Sequence, residues 1–542
     1  MRTVDALYRL EAVVLLLGAV LVLMAIARRV LIPYPIFLVI GGLILGFVPG
    51  VPPVRLDPEI VFLIFLPPIL WAAAYFTSLR DFHANLRPIT LLAVGLVLAT
   101  TAGVAAVAHA IVPGLSWPAA FVLGAIVSPP DAVAATAIAR RLRIPHRVVT
   151  ILEGESLVND AAALVLYRAG VLAAVTGTFT LRETLWQFVV AAAGGVAIGL
   201  LVGYVTREAL HHSEDSLVET AITLLVPYAA WILAERIHAS AVLACVVGGL
   251  YVGRGFSTAV APTTRIQARA VWNLLIFVLN GVIFVLIGLQ LRAIRDAGLI
   301  ERPGRLLLYG AVISAVAVVI RLVWVPLAAV IPRALSPALR RRDPMPPWPV
   351  VFLVAWTGMR GIVSLAAALG LPLATASGAA FPFRDEIIVI TFVAILATLV
   401  IQGLTLSPLI RWLRLRDDMT LELEEAHARQ EAGRAALARL DDLASRPDAP
   451  PEDIARMRTL YTQRVQRASV IDPGVGAESA RVLATVRRLR HETLSAERSA
   501  LIALRDAGAI SDDVLHRLEQ ELDIEAMRIG LGEERLPGHS HG

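Results

Sequence analysis

The chain is predicted to be an all-α polytopic membrane protein of about 13 transmembrane helices, two of them interrupted, followed by a helical cytosolic C-terminal domain. Three observations lead there. Hydrophobic residues fill 57% of 542 positions and mean hydropathy is +0.71, more apolar surface than a single soluble core requires. Apolar runs of the roughly 20 residues that cross about 30 Å of hydrocarbon as a helix recur through the first three quarters of the chain. From about Arg411 onward the pattern changes abruptly to acids, arginines, alanines and leucines at helical spacing.

The thirteen runs lie near 10–28, 31–48, 58–76, 88–111, 117–139, 149–175, 185–206, 216–235, 239–253, 270–291, 306–331, 348–372 and 386–410. The first is not read as a cleaved signal peptide, because no compact small-residue cleavage site follows it and Arg28, Arg29 and a second run come at once. The whole chain is expected to be retained. Cys245, the single cysteine, sits inside the ninth run, which excludes an intrachain disulfide and points to packing.

All 49 basic residues are arginine. Alternate loops (28–30, 77–88, 140–147, 207–215, 254–269, 333–342 and 411–416) hold 19 of them, and the opposite set, including the N-terminus, holds 10. The positive-inside rule puts the richer set in the cytoplasm, so the N-terminus is expected outside and the C-terminus inside. Four arginines from Arg292 to Arg305 run against that assignment. The pI of 9.7 is thus a topology signal, since no soluble basic module of the kind that grips nucleic acid is evident.

The soluble part reads as helices at 418–445, 452–471, 477–507 and 511–528, with stops and caps at 447–451, at 473–476 and at Gly508 before Ser511. These amphipathic helices are expected to pack on one another or on a partner subunit, and no ligand is specified. The closing Gly-His-Ser-His-Gly, 538–542, reads as a frayed end rather than a metal site.

Two runs break in the middle. The fifth contains Ser128-Pro129-Pro130-Asp131, whose prolines lack N–H groups and leave carbonyls near Ser128 without intrahelical partners. The twelfth contains Thr357-Gly358-Met359-Arg360-Gly361. Irregular backbone survives at membrane depth only where protein buries it or where it lines a watery cavity. Two interrupted helices, seven runs apart, suggest the inverted repeats of secondary transporters. Proline kinks alone would be structural, but Asp131 and Arg360 lie in the breaks, and the sixth run opens on Glu-Gly-Glu-Ser-Leu-Val-Asn-Asp at 153–160. Carboxylates in hydrocarbon mark ion or proton paths. Glu155 and Asn159 are four residues apart, as are Ser156 and Asp160, so they form two adjacent rows on one helix face.

The chain resembles a bacterial member of the monovalent cation:proton antiporter family, on its Na+/H+ exchanger branch. The matching segments are Leu66-Pro-Pro-Ile-Leu, Gly124-Ala-Ile-Val-Ser-Pro-Pro-Asp131, the 152–160 stretch, Ser240-Ala-Val-Leu-Ala and Gly358-Met-Arg-Gly-Ile-Val-Ser, spread over most of residues 10–412. The resemblance implies thirteen helices, a homodimer in the bacterial inner membrane, a rigid dimerisation half, and a core half that holds the crossed fifth and twelfth helices. It implies an exchanger domain at 1–412, a cytosolic domain at 413–542, and no cofactor beyond the transported Na+ and H+.

By motif, Asp160 is the carboxylate that binds cation or proton, with Ser156 offering its hydroxyl to the same ion. Asn159 is the neutral partner that stands where electrogenic relatives have a second aspartate. Asp131 would neutralise helix ends at the crossing, and Glu155 would pair with Arg360 as a structural ion pair. Glu153 is expected near the cytoplasmic funnel. Many relatives have Thr before the aspartate of the fifth helix. Here Pro130 offers only its carbonyl, and no acid follows the Leu-Pro-Pro run, where Leu70-Trp71-Ala72-Ala73 stands. Both departures bear on ion selectivity.

One carboxylate serving two ligands makes coupling by competition, with no need for ATP; no phosphate-binding Gly-x-x-x-x-Gly-Lys-Ser/Thr motif exists, and lysine is absent. The alternatives are a K+/H+ antiporter and a passive cation channel. An aspartyl hydrolase built on Asp131 and Asp160 fits poorly, since a shared-proton dyad does not sit well beside Asn159 and Arg360.

Overall fold

The structure, a computed structural model, describes residues 2–27, 33–49, 56–142, 144–177, 180–296, 298, 303–415, 420–445, 450–469 and 477–528. The 538–542 segment lies outside them. The chain separates into two compact units, Met1–Asp418 and Met419–Gly542.

In a solvent without water, backbone N–H and C=O groups must pair within the segment, and apolar runs of Leu, Val, Ala and Ile therefore fold as helices. Nine helices among the described residues are long and apolar enough to cross a membrane, and shorter apolar helices fill the first, second and ninth predicted runs. The twelfth run is two short helices separated by its glycines. The helices are α1 (Arg2–Ala27), α2 (Tyr34–Gly46), α3 (Pro58–Tyr75), α4 (Leu86–Ile111), α5 (Trp117–Val127), α6 (Ala132–Arg141) and α7 (His146–Thr176). They continue as α8 (Leu181–His212), α9 (Ser216–Arg236), α10 (Ala241–Ala259), α11 (Pro262–Asp296), α12 (Pro303–Leu335), α13 (Trp348–Trp356), α14 (Ile362–Leu369) and α15 (Arg384–Trp412). Capping fixes several starts. Asp215 accepts from Leu217 N at 2.7 Å and Val218 N at 3.3 Å, and Ser240 accepts from Leu243 N at 3.3 Å.

Packing sorts these helices into two groups. α1–α3 pack with α8–α11, and α4–α7 pack with α12–α15. The chain builds part of the first group, then part of the second, and repeats that order in its second half. Within the first group α2 and α11 touch backbone to backbone. A Cβ on Gly42 would lie 2.3 Å from the Val285 carbonyl oxygen, and one on Gly288 would lie 2.3 Å from that of Val39. Small residues at such crossings are how apolar helices associate in lipid, where burial of apolar surface supplies little drive. The two groups meet along α2, α3, α10 and α11 on one side and α6, α7, α14 and α15 on the other.

At one end of the second group Asp343 gathers three elements. Its carboxylate accepts from Arg87 Nη2 at 2.5 Å, Arg147 Nη2 at 2.9 Å and Arg333 Nη2 at 2.8 Å. Its backbone carbonyl accepts from Arg333 Nε at 2.9 Å. The starts of α4 and α7 are thereby tied to the end of α12 and the approach to α13.

The second unit consists of two helix pairs: α16 (Thr420–Ala444) with α17 (Pro451–Ser469), and α18 (Ala477–Asp506) with α19 (Asp512–Arg528). Gly433 admits the Val465 side chain, which a Cβ would meet at 2.4 Å. Arg458 pairs with Asp441 and Arg498 with Asp523, each ion pair joining the two helices of one hairpin.

Asp343 titrates outside the spans. Burial pushes its carboxyl up, but Arg147, Arg333 and Arg87 outweigh burial and hold it below the ordinary carboxylate range. A depressed folded-state value means that its stabilisation is complete above the ordinary range and is lost as pH falls through and below it. The melting temperature of the purified protein is therefore expected to fall more steeply between about pH 5 and about pH 3 than that of an Asp343→Asn variant, which starts lower at neutral pH. Parallel curves would remove Asp343 as a tie.

Candidate functional site

The site grows from the two breaks. α5 stops at Val127 because Pro129 and Pro130 cannot donate to the preceding turn, and the chain runs non-helical over 129–131. α13 stops at Trp356, and the backbone runs non-helical over 357–361 before α14. The breaks lie against each other. Asp131 N donates to the Met359 carbonyl at 2.6 Å. Glycine is required at 361, since a Cβ there would fall 2.0 Å from Asp131 Oδ2.

Each interrupted end has carbonyls that a continuous helix would have paired. Arg360 Nε donates to the Val127 carbonyl at 2.9 Å, and Arg360 Nη1 donates to the Gly358 carbonyl. Its backbone N–H donates to Thr398 Oγ1 on α15 at 3.1 Å. Asn159 Nδ2 donates to the Pro130 carbonyl at 2.8 Å. Asp131 Oδ1 accepts from Val133 N at 2.8 Å and so caps α6. Donors from α7 and from the break between α13 and α14 therefore complete the broken helix.

The predicted Glu155–Arg360 ion pair is not formed. Glu155 pairs instead with Arg321 of α12 in a two-pronged bridge, Nη1 on Oε1 and Nη2 on Oε2, the second at 2.8 Å. Arg321 Nε adds a bond to the Val354 carbonyl at 3.2 Å. The cause is geometric. The Arg360 guanidinium is taken up by carbonyls of the breaks, while the planar fork of Arg321 lies opposite the carboxylate. Both partners are about 1% exposed. The sequence held the signal that was missed: Arg321 is a lone charge within the apolar 306–331 run, and the rule applied to Asp160 applies equally to it.

The two rows of α7 consequently face different ways. Ser156 and Asp160 line a cavity of about 440 Å3, together with Pro130, Asp131, Glu153, Asn280 and Ser364. Glu155 turns into the second group toward α12. Asn159 is fully buried, and its Oδ1 has no hydrogen-bond partner among the described residues. Ser364 Oγ, on the cavity wall, likewise has none among them. Asp160 itself is 7% exposed. Thr77, Arg269 and Asn273 also line the cavity. Its polar lining near Asp160 consists chiefly of carboxylate, hydroxyl and amide groups, a donor set suited to a hard cation. Asn280 and Ser364 were not singled out from sequence, because an isolated amide or hydroxyl in an apolar run is common.

A buried carboxylate at the head of a polar cavity, beside two broken helices in a multi-pass bundle, defines an ion-handling membrane transporter. The chain belongs to the sodium/hydrogen exchanger family, whose transmembrane model matches residues 15–412. It is 35% identical over 531 residues to a protein of Mycobacterium tuberculosis described as an uncharacterised Na+/H+ exchanger, covering 96% of each chain. It is 34% identical over 467 residues to the low-affinity Na+/H+ antiporter NhaS1 of Synechocystis, covering 85% of each. The sodium proton antiporter MjNhaP1 of Methanocaldococcus jannaschii shares the fold, with a TM-score of 0.59 at 20% identity, over 76% of this chain and 99% of that one.

Removing one member of a buried ion pair costs about 3–5 kcal/mol. Arg321→Gln is expected to lower stability on that scale, and Glu155→Gln with Arg321→Gln to recover part of the loss. In a double-mutant cycle read by thermal unfolding, Glu155 should couple strongly to Arg321 and weakly to Arg360. The reverse ranking would restore the pairing expected from sequence.

Proposed function

We propose that the protein is a secondary active antiporter that exchanges Na+ for H+ across the cell membrane, one for one, by alternating access at Asp160. The supporting observation is the charge balance around the breaks. Glu155 and Arg321 cancel. Arg360 and Asp131 bring one positive and one negative charge to the crossing, and Arg269 and Glu153 bring one of each to the cavity wall. Asp160 is then the carboxylate whose charge the surrounding set leaves unmatched, and either a proton or a monovalent cation cancels it. A neutral set can move past a low-dielectric barrier, whereas an uncompensated charge pays a heavy desolvation cost. Proton and cation compete for the same oxygens, and competition couples their fluxes. Ser156, the Pro130 carbonyl and Asp131 are the further oxygens on the cavity wall, and Asn159 acts from behind it by holding that carbonyl.

Family membership and relatives named as Na+/H+ antiporters support Na+ as the cation. K+/H+ exchange is the alternative. In this reading the thirteen apolar runs are thirteen crossings with inverted repeats, the first helix group is a rigid, dimer-forming scaffold, and the second moves against it. Thr77 follows α3 and Arg269 lies in the first turns of α11, both within the arginine-rich segments 77–88 and 254–269, so the cavity opens to the cytoplasm. The Met419–Gly542 unit and the C-terminus then also lie in the cytoplasm.

Asp160→Asn is expected to abolish Na+-driven proton movement in proteoliposomes, down to the level of protein-free vesicles, while the protein stays folded and inserted. The same assay with Na+, K+ and Li+ in turn ranks the cations and separates antiport from a passive channel, which would conduct the cation without proton counterflow. Substantial exchange by folded Asp160→Asn protein would sink the assignment.

One cation for one proton moves no net charge. Exchange at fixed pH and Na+ gradients should be insensitive to potentials imposed with K+ and valinomycin, once K+ is shown not to be carried. A marked voltage dependence would require a second titrating group, with Asp131 and Glu153 the first to test.

A further inference from the structure

The arginine cluster on Asp343 is larger than ion pairing needs. One carboxylate is shared by three guanidiniums, and Arg340, Arg341 and Arg342 stand exposed on the short helix just before it. Nε and Nη1 of Arg87 are buried and have no partner among the described residues. Buried donors left unpaired are costly, so the arrangement calls for an acceptor. Beside them lies a crevice of about 80 Å3 between α4, α7, α12 and α13. Arg87, Arg147 and Arg333 line it, and the rest of its wall is apolar, with Pro88, Leu92, Ile151, Val325, Ala328 and Val350. Trp348, which opens α13, is 60% exposed, as suits an anchor at the bilayer surface.

We propose that this crevice binds an anionic phospholipid, with its phosphodiester accepting hydrogen bonds from Arg87 and the first methylenes of an acyl chain lying on the apolar wall. Charge complementarity favours this occupant: two positive charges remain after Asp343 is counted, guanidinium geometry matches phosphate oxygens, and basic pockets between spanning helices recognise anionic headgroups. A free phosphate would leave the apolar wall unused, and a zwitterionic lipid would leave the excess charge uncancelled. All four lining helices belong to the same helix group, so the lipid travels with it. The proposal requires only that the chain spans a bilayer, not that it exchanges a particular ion.

Native mass spectrometry of the full-length protein in detergent, with equal amounts of phosphatidylglycerol and phosphatidylcholine bearing the same acyl chains, tests it. The wild type should retain phosphatidylglycerol in preference. Arg87→Gln should reduce that retention about fivefold, the effect of one arginine beside an anionic headgroup. Ala328→Leu, which fills the crevice with every charge intact, should also reduce it, and Arg340→Gln on the exposed short helix should retain the lipid more nearly as the wild type does. Phosphatidylglycerol, and not inorganic phosphate, should raise the wild-type melting temperature. Equal retention of the two lipids overturns the proposal, as does wild-type retention by either Arg87→Gln or Ala328→Leu. Stabilisation by phosphate equal to that by lipid would make this a free-anion site and overturn it too. If Arg87→Gln cannot be purified folded, Ala328→Leu decides.

Discussion

The structure depends on satisfying backbone that two broken helices expose at membrane depth. Carbonyls of Val127, Pro130, Gly358 and Met359 have no intrahelical donor, and each receives another: Arg360 across the crossing for Val127 and within its own break for Gly358, Asn159 for Pro130, and Asp131 N for Met359. In hydrocarbon an unpaired peptide group costs several kcal/mol, so these bonds are conditions of the fold as much as features of a site. They also explain why Arg360 is unavailable to Glu155, and hence why the bundle needs a second buried arginine.

The division of the helices into two groups follows from the same economy of polar atoms. The first group is held by close backbone contact, as at Gly42 and Gly288, with few buried charges. The second concentrates them: Glu155 with Arg321, Arg360 on its carbonyls, and Asp343 with three arginines at one end. Ties of this kind join α4, α7, α12 and α13 to one another and hold the second group as a body. Asp160 stands where that body faces α3 and α11 across the cavity.

Much of this was legible from residues alone. Hydropathy located the apolar helices, and Pro129, Pro130, Gly358 and Gly361 located the breaks, because missing N–H groups and missing side chains act locally. Spacing placed Ser156 and Asp160 on one row of α7. What failed was the choice of partner for Glu155. Helical periodicity gives the direction in which a side chain leaves its own helix but not which of two buried arginines stands opposite. That is set by tertiary placement, which brings Arg321 to Glu155 from 166 residues away in sequence. The second run forms a helix shorter than its hydropathy limits, Tyr34–Gly46, whereas α1 begins before its apolar run and α10 continues past the end of its own, because helical hydrogen bonding carries on through residues that hydropathy does not count.

The hydrogen bond from Asp131 N to the Met359 carbonyl joins positions 228 residues apart, which bears on how the protein is made. A ribosome adding about 5–20 residues per second needs roughly 10–45 s to reach Met359 after it has added Asp131. For that interval the first broken helix exists without its counterpart, its free carbonyls facing lipid or the insertion machinery. Biogenesis must therefore shelter a half-built crossing, and a nascent chain truncated anywhere before α14 is a natural substrate for membrane quality control.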